Sequence, residues 1–95
     1  MSLKHVNPPS MHHNPAFSQG VLIEGPGRLL VVGGQNGVGP DGQVVSADFG
    51  DQTRQALRNV LTVLAEVGAT QDHVAKMTIF YASGQDVRDG FAASA

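Results

Sequence analysis

Asp48-Phe49-Gly50-Asp51-Gln52-Thr53-Arg54-Gln55-Ala56-Leu57-Arg58-Asn59-Val60-Leu61-Thr62-Val63-Leu64-Ala65-Glu66-Val67 is the stretch on which the fold turns. Leu57, Val60, Leu61, Leu64 and Val67 recur at three- and four-residue spacing, the repeat of one helix face. Asp48 is an N-cap residue by type, and Asp51 adds negative charge to the first turn, where the helix dipole favours it. Gly68 suits the residue just past the C-terminus, where a left-handed conformation ends many helices. The spacing predicts a helix from Asp48 to Val67.

Strands are expected on both sides of this helix. Before it, Val21-Leu22-Ile23 and the apolar run Leu29-Leu30-Val31-Val32 flank Gly25-Pro26-Gly27, which is strong turn punctuation. Together they predict a β-hairpin, and the continuous run from Leu29 to Val32 suits a strand buried on both faces. Gly33 and Gly34 end the second strand, and residues 36–43 form a loop turned by Pro40-Asp41-Gly42. After the helix, residues 74–82 alternate, with Ala75, Met77, Ile79 and Tyr81 on one side and Val74, Lys76, Thr78 and Phe80 on the other. Strand, crossover helix and strand make a right-handed βαβ unit in which 28–32 and 74–82 run parallel. Val87, Phe91 and Ala95 are four residues apart and predict a second helix from near Asp86. Residues 1–16, with Pro8, Pro9, Pro15 and three of the four histidines, read as an extended arm that ends in a short edge strand. The organisation expected is therefore one domain over 1–95, an arm at 1–16 and an α/β (α+β) body at 17–95. A second helix on a sheet normally leads to another strand, so the chain is expected to be incomplete at its C-terminus.

Composition narrows the function. At 95 residues the chain buries little of its surface alone. With 41% apolar and 15% charged residues, it is expected to leave surface for a partner to cover. The net charge is −2, and Lys4, Arg28, Arg54, Arg58, Lys76 and Arg88 are scattered, which disfavours nucleic acid as a partner. No apolar run approaches the roughly 20 residues that cross a membrane, and no secretory signal is visible, so a cytoplasmic protein without membrane association is expected. There is no cysteine, hence no thiol nucleophile or thiolate metal site. His5, His12 and His13 lack an ordered acidic partner, so no metal site is assigned to them. Lys76 as an amine nucleophile would need desolvation; on an alternating strand it reads as a solvated lysine. His73 reads as a surface or capping residue.

Four short strings, in this order, resemble a known family. They are Phe17-Ser18-Gln19-Gly20-Val21, Arg28-Leu29-Leu30-Val31-Val32-Gly33-Gly34-Gln35, Asp51-Gln52-Thr53-Arg54-Gln55-Ala56-Leu57-Arg58-Asn59-Val60 and Lys76-Met77-Thr78-Ile79-Phe80. Taken together over residues 17–82, they are similar to the Rid (YjgF) family, also described as endoribonuclease L-PSP-like. The resemblance implies a chorismate-mutase-like fold with a mixed sheet packed on two helices, assembled as a homotrimer with ligand pockets between subunits. It implies hydrolysis of reactive enamines or imines of the 2-aminoacrylate type to 2-keto acids and ammonium, with no cofactor and no metal. RNA cleavage, attached to some relatives, is disfavoured here by the acidic balance.

Water attack on an imine carbon needs an anchored substrate carboxylate, best held by a bidentate Arg, and a water that can lose a proton. In the family the Arg lies in an Arg-x-Ala strand and a Glu follows on the last strand. Neither motif occurs by residue 95, and the role passes to none of Arg28, Arg54, Arg58 or Arg88. By resemblance, Phe17, Gly33, Gly34 and Phe91 line the substrate pocket. Phe17 stands at a family tyrosine, Gly33 at a serine and Phe91 at an asparagine, so the pocket is more apolar than the deaminase pattern. Gly33 and Gly34 are equally explained as a strand end where glycine is sterically required, and Phe17 and Phe91 by ordinary packing. The alternative to the deaminase is a non-catalytic oligomer that binds a small metabolite at subunit interfaces.

Overall fold

The computed structural model describes residues 1–94. Three antiparallel strands, β1 (Ser2–Val6), β2 (Gly20–Glu24) and β3 (Arg28–Val32), form one sheet in the order β1-β2-β3. The expected hairpin is β2–β3, with Glu24 opposite Arg28 and the Gly25 N–H donating to the Gly27 carbonyl at 2.9 Å across the turn. The arm pairs at its beginning and not at its end, where Pro8, Pro9 and Pro15 lack the N–H a ladder needs: Leu3 lies opposite Ile23 and His5 opposite Val21, making β1 an edge strand.

Helix α1 spans Phe49–Glu66 and its ends follow the expected chemistry. Asp48 is the N-cap, and its carboxylate accepts the Asp51 N–H at 2.9 Å. Gly68 has φ +77°, which glycine adopts without steric cost. The buried face, however, is rotated from the one the apolar spacing picks out. Thr53, Asn59, Val63 and Leu64 are buried, whereas Leu61 is 46% exposed. The reason lies in the loop before the helix, which packs on the Gln52–Asn59 side and draws that side inward. Val63 is fully buried and, with Val6, Met11 and Leu22, forms the core, flanked by Leu30, Val32 and Val67. At Gly20 an added Cβ would lie 3.1 Å from Val63 Cγ1, a measure of how closely helix and sheet approach.

Two expectations are corrected. First, residues 74–82 join no strand pairing: the chain leaves a 3-10 turn at Gln71–His73 and runs irregular and exposed, with Phe80 92% accessible. Among the described residues the sheet is therefore antiparallel, not mixed, and the parallel βαβ unit is not formed. Alternation of side chains records a conformation compatible with a strand. Pairing is a separate, tertiary event that needs a free sheet edge within reach. Second, β3 is not buried on both faces. Leu30 and Val32 face the helix, while Leu29 and Val31 are 61% and 53% exposed on the opposite face.

Helix α2, Val87–Ser94, begins where expected, with Asp86 accepting the Arg88 N–H at 2.9 Å. It packs on α1 rather than on the sheet. Gly90 is the contact point, since a Cβ there would lie 2.6 Å from the Phe49 ring. Val87 and Phe91 consequently point away and are exposed, and Ala95 lies outside the described residues. The Phe49 ring also meets Tyr81, with centroids 5.9 Å apart. No helix among the described residues is long and apolar enough to cross a membrane.

Candidate functional site

The end of β3 and the segment before β2 lie side by side and define a cleft. The Gly33 N–H donates to the Gln19 carbonyl at 2.7 Å, continuing the ladder one residue past β3. A Cβ on Gly33 would lie 3.1 Å from the carbonyl oxygens of both Ser18 and Gln19, so this close approach favours glycine. Residues Phe17, Gln19, Gly34, Gln35, Asn36, Val38, His12 and Asn59 enclose a cleft of about 60 Å³.

Three side-chain amides, of Gln19, Gln35 and Asn59, form its polar wall. Gln35 Nε2 donates to Gln19 Oε1 at 2.9 Å and to the Gly33 carbonyl at 3.2 Å. Gln19 is almost fully buried, and its own Nε2 donates to the His12 carbonyl at 3.3 Å while its backbone N–H is accepted by Asn7 Oδ1 at 3.2 Å. From the helix side, Asn59 Nδ2 donates to the carbonyls of Val38 (2.8 Å) and Asn36 (3.1 Å), and its Oδ1 accepts from Gln55 Nε2 at 2.9 Å. A buried amide with every group matched costs little and fixes geometry; left unmatched it would cost about 1–3 kcal/mol. The apolar part of the wall comes from Phe17 and Val38.

Of the residues the sequence singled out, the fold brings together Phe17, Gly33 and Gly34. Phe17 is half-exposed at the rim, and Gly33 lies beside the cleft, its carbonyl accepting from Gln35 Nε2 at 3.2 Å and its Cα packed against Ser18 and Gln19, the close approach expected of a strand end that requires glycine. Phe91 lines neither cleft of its own chain and is 78% exposed on α2. Gln19 and Asn59 were missed as site residues. The available signal was an amide placed within an apolar helical face, at Asn59, and an amide preceding a strand, at Gln19.

Among the described residues no side chain lining this cleft is a carboxylate, and the one titratable group there is the His12 imidazole. Lys76 is exposed on the unpaired 74–82 segment. His73 caps the 3-10 turn, its Nδ1 accepting the Thr70 N–H at 3.0 Å. His5 Nδ1 lies 2.9 Å from the Ser18 hydroxyl on the far side of the sheet from the core. Among the described residues no group of three or more His, Asp or Glu gathers as a metal site. The cleft is thus suited to holding a small, partly apolar molecule by amide and backbone groups.

The fold and this cleft define a class: a small α+β protein whose antiparallel sheet carries a long helix on one face, with a cleft where β3 runs out. Comparison with known proteins narrows it. The family model described as Endoribonuclease L-PSP matches residues 10–93. The chain is 34% identical over 71 residues to the human 2-iminobutanoate/2-iminopropanoate deaminase, covering 74% of this chain and 50% of that protein. It is 32% identical over 81 residues to the mitochondrial protein mmf1 of Schizosaccharomyces pombe, covering 85% and 48% respectively. A Rid-family protein of unknown function from Yersinia pestis superposes with a TM-score of 0.66 at 30% identity, over 75% of this chain and 56% of that one. The chain belongs to the Rid (YjgF) family, and it spans about half the length of the curated relatives it matches.

Proposed function

We propose that this protein hydrolyses reactive enamine or imine intermediates of the 2-aminoacrylate type to 2-keto acids and ammonium. The observation that carries this reading is the cleft of Phe17, Gly34 and Gln35 at the end of β3, in a chain whose relatives include 2-iminobutanoate/2-iminopropanoate deaminases. A cleft of about 60 Å³ is too small and too open to complete a site alone. Neighbouring copies in a homotrimer supply the rest, Phe91 of one copy closing the cleft of another. The protein acts in the cytoplasm, without cofactor or metal. Nucleic acid is not among its partners, because the net charge is −2 and two of its four arginines are neutralised by Asp51 and Asp86.

The second reading, a non-catalytic binder of a small metabolite, is favoured by the absence of any carboxylate in the cleft wall. One assay separates the two. The full-length protein is added to a serine or threonine dehydratase reaction and keto-acid release is followed. Acceleration over buffer is expected. No acceleration, together with a thermal shift on adding keto acid, would select the binding protein instead.

A further inference from the structure

An asparagine amide is labile when the backbone nitrogen of the next residue can reach its Cγ and close a five-membered ring. The chain has four asparagines. Asn7 and Asn14 precede Pro8 and Pro15, whose nitrogens carry no proton to give up. Asn59 precedes Val60 inside α1, where that N–H belongs to the helix ladder and the branched side chain crowds the approach. Asn36 precedes Gly37, which has no Cβ to obstruct ring closure. The side chains sort in the same way. Asn7 Oδ1 accepts the Gln19 N–H at 3.2 Å, Asn14 Oδ1 accepts the Ala16 N–H at 2.9 Å, and the Asn59 amide is bonded at both ends. Asn36 is exposed, and among the described residues neither its side-chain amide nor the Gly37 N–H has a hydrogen-bond partner. Only the Asn36 carbonyl is held, by the Val38 N–H at 2.8 Å and Asn59 Nδ2 at 3.1 Å.

We infer that Asn36 is a modification site, at which the folded chain deamidates spontaneously. The Gly37 nitrogen gives its proton to hydroxide and bonds to Asn36 Cγ. The Cγ–Nδ2 bond breaks, and ammonia leaves. Water then opens the succinimide at either carbonyl, giving aspartate or, with the main chain routed through Cγ, isoaspartate at position 36. One water is consumed, one ammonium is released, and the chain gains one negative charge. Ring closure turns Asn36 about its ψ bond and loosens both bonds to its carbonyl, so the reaction proceeds through local opening of the loop. Asn36 lines the cleft at β3, whose wall has no carboxylate among the described residues, and the conversion puts one there. The isoaspartate route also inserts a carbon into the main chain directly before Gly37. No slack exists at that point, since a Cβ on Gly37 would already lie 2.6 Å from Gln52 Cα. None of this depends on the reaction proposed for the cleft.

The test is to hold the folded full chain in mildly alkaline buffer made with heavy-oxygen water, then digest it with trypsin in ordinary water for mass spectrometry. Heavy oxygen is expected in the peptide of residues 29–54, whose one asparagine is Asn36, and fragmentation should place it at position 36 rather than at Asp41, which also precedes a glycine. The peptides carrying Asn7, Asn14 and Asn59 should stay unlabelled. Incorporation should rise with hydroxide concentration and run slower than in the chain unfolded by guanidinium. On isoelectric focusing, an acidic species should accumulate that co-migrates with Asn36→Asp. Asn36→Gln is expected to abolish that species, because a glutamine would have to close a larger, slower ring. The side chain is exposed and partnerless, so this variant folds. An Asn36 still intact in the folded chain when the unfolded chain has been converted would overturn the proposal. So would an acidic species that forms at the same rate in Asn36→Gln, or heavy oxygen reaching another asparagine first.

Discussion

Gly37 meets α1 at a distance that leaves no room for a side chain. A Cβ there would lie 2.6 Å from Gln52 Cα and 2.9 Å from the Gln52 carbonyl oxygen, both backbone atoms that cannot swing aside. Gly37→Ala is therefore expected to destabilise the protein by about 1–3 kcal/mol, the usual cost of overpacking, seen as a lower urea midpoint. An unchanged midpoint would mean that the loop is not pressed against the helix. The same loop is held from the other side by Asn59, whose amide bonds the Asn36 and Val38 carbonyls. Neither role was visible in the chain. Gly37 reads as one more loop glycine, and Asn59 as a polar intrusion into an apolar stripe. Their partners are 15 and more residues away and meet them only after folding.

At the scale of the element, the ends of α1 are set by local chemistry. Asp48→Ala removes the acceptor for the Asp51 N–H and is expected to cost about 0.5–2 kcal/mol, measurable as a fall in melting temperature with unchanged helix content at low temperature. Asp51 adds a pH dependence. Its hydrogen bond from Arg54, helped by one from Ser46, holds its carboxyl below the ordinary value. A group depressed in the folded state stabilises above its unfolded pKa, and that contribution is lost as pH falls through the folded value. Asp51→Asn should therefore lower the melting temperature slightly at pH 7. The gap from wild type should close on acidification below about pH 4. The effect is small because both partners are half-exposed. A gap that widened in acid would assign the shift to another cause. These features were legible in the sequence because caps and turns act over three or four residues. The 74–82 segment was legible only as extended, since alternation does not name a partner.

For the whole molecule, the sheet has one face on α1 and one open. Leu3, Ile23 and Leu29 lie in one cross-strand row and His5, Val21 and Val31 in the next, all on the open face. Leu3, Leu29 and Val31 are more than half exposed. Contiguous apolar area of this kind marks an interaction surface on a small chain. Covering such a face stabilises by about 25 cal/mol per Å² of apolar surface removed from water. If the homotrimer we propose uses this face, Leu29→Glu should yield a smaller particle in light scattering, with helix content retained. A variant that stayed at the wild-type mass would remove the sheet face from the interface. Val31→Lys is the second probe of the same surface, one row away.

The sequence by itself determined the elements that depend on near neighbours. The β2–β3 hairpin turns at Gly25-Pro26-Gly27, α1 runs from the Asp48 cap to Gly68, and α2 starts at Asp86. In each case the deciding hydrogen bonds or backbone angles lie within a few residues. The order of the quoted strings also carried the family. Only the tertiary structure decided which face of α1 is buried, that β1 closes the sheet edge, that 74–82 stays unpaired, and that Gln19, Gln35 and Asn59 build the cleft. Those outcomes depend on contacts between groups 12 to 23 residues apart, as in Asn7 with Gln19 and Asn36 with Asn59. Such contacts are chosen by competition among all the surfaces the folded chain brings together, and no local spacing encodes the winner.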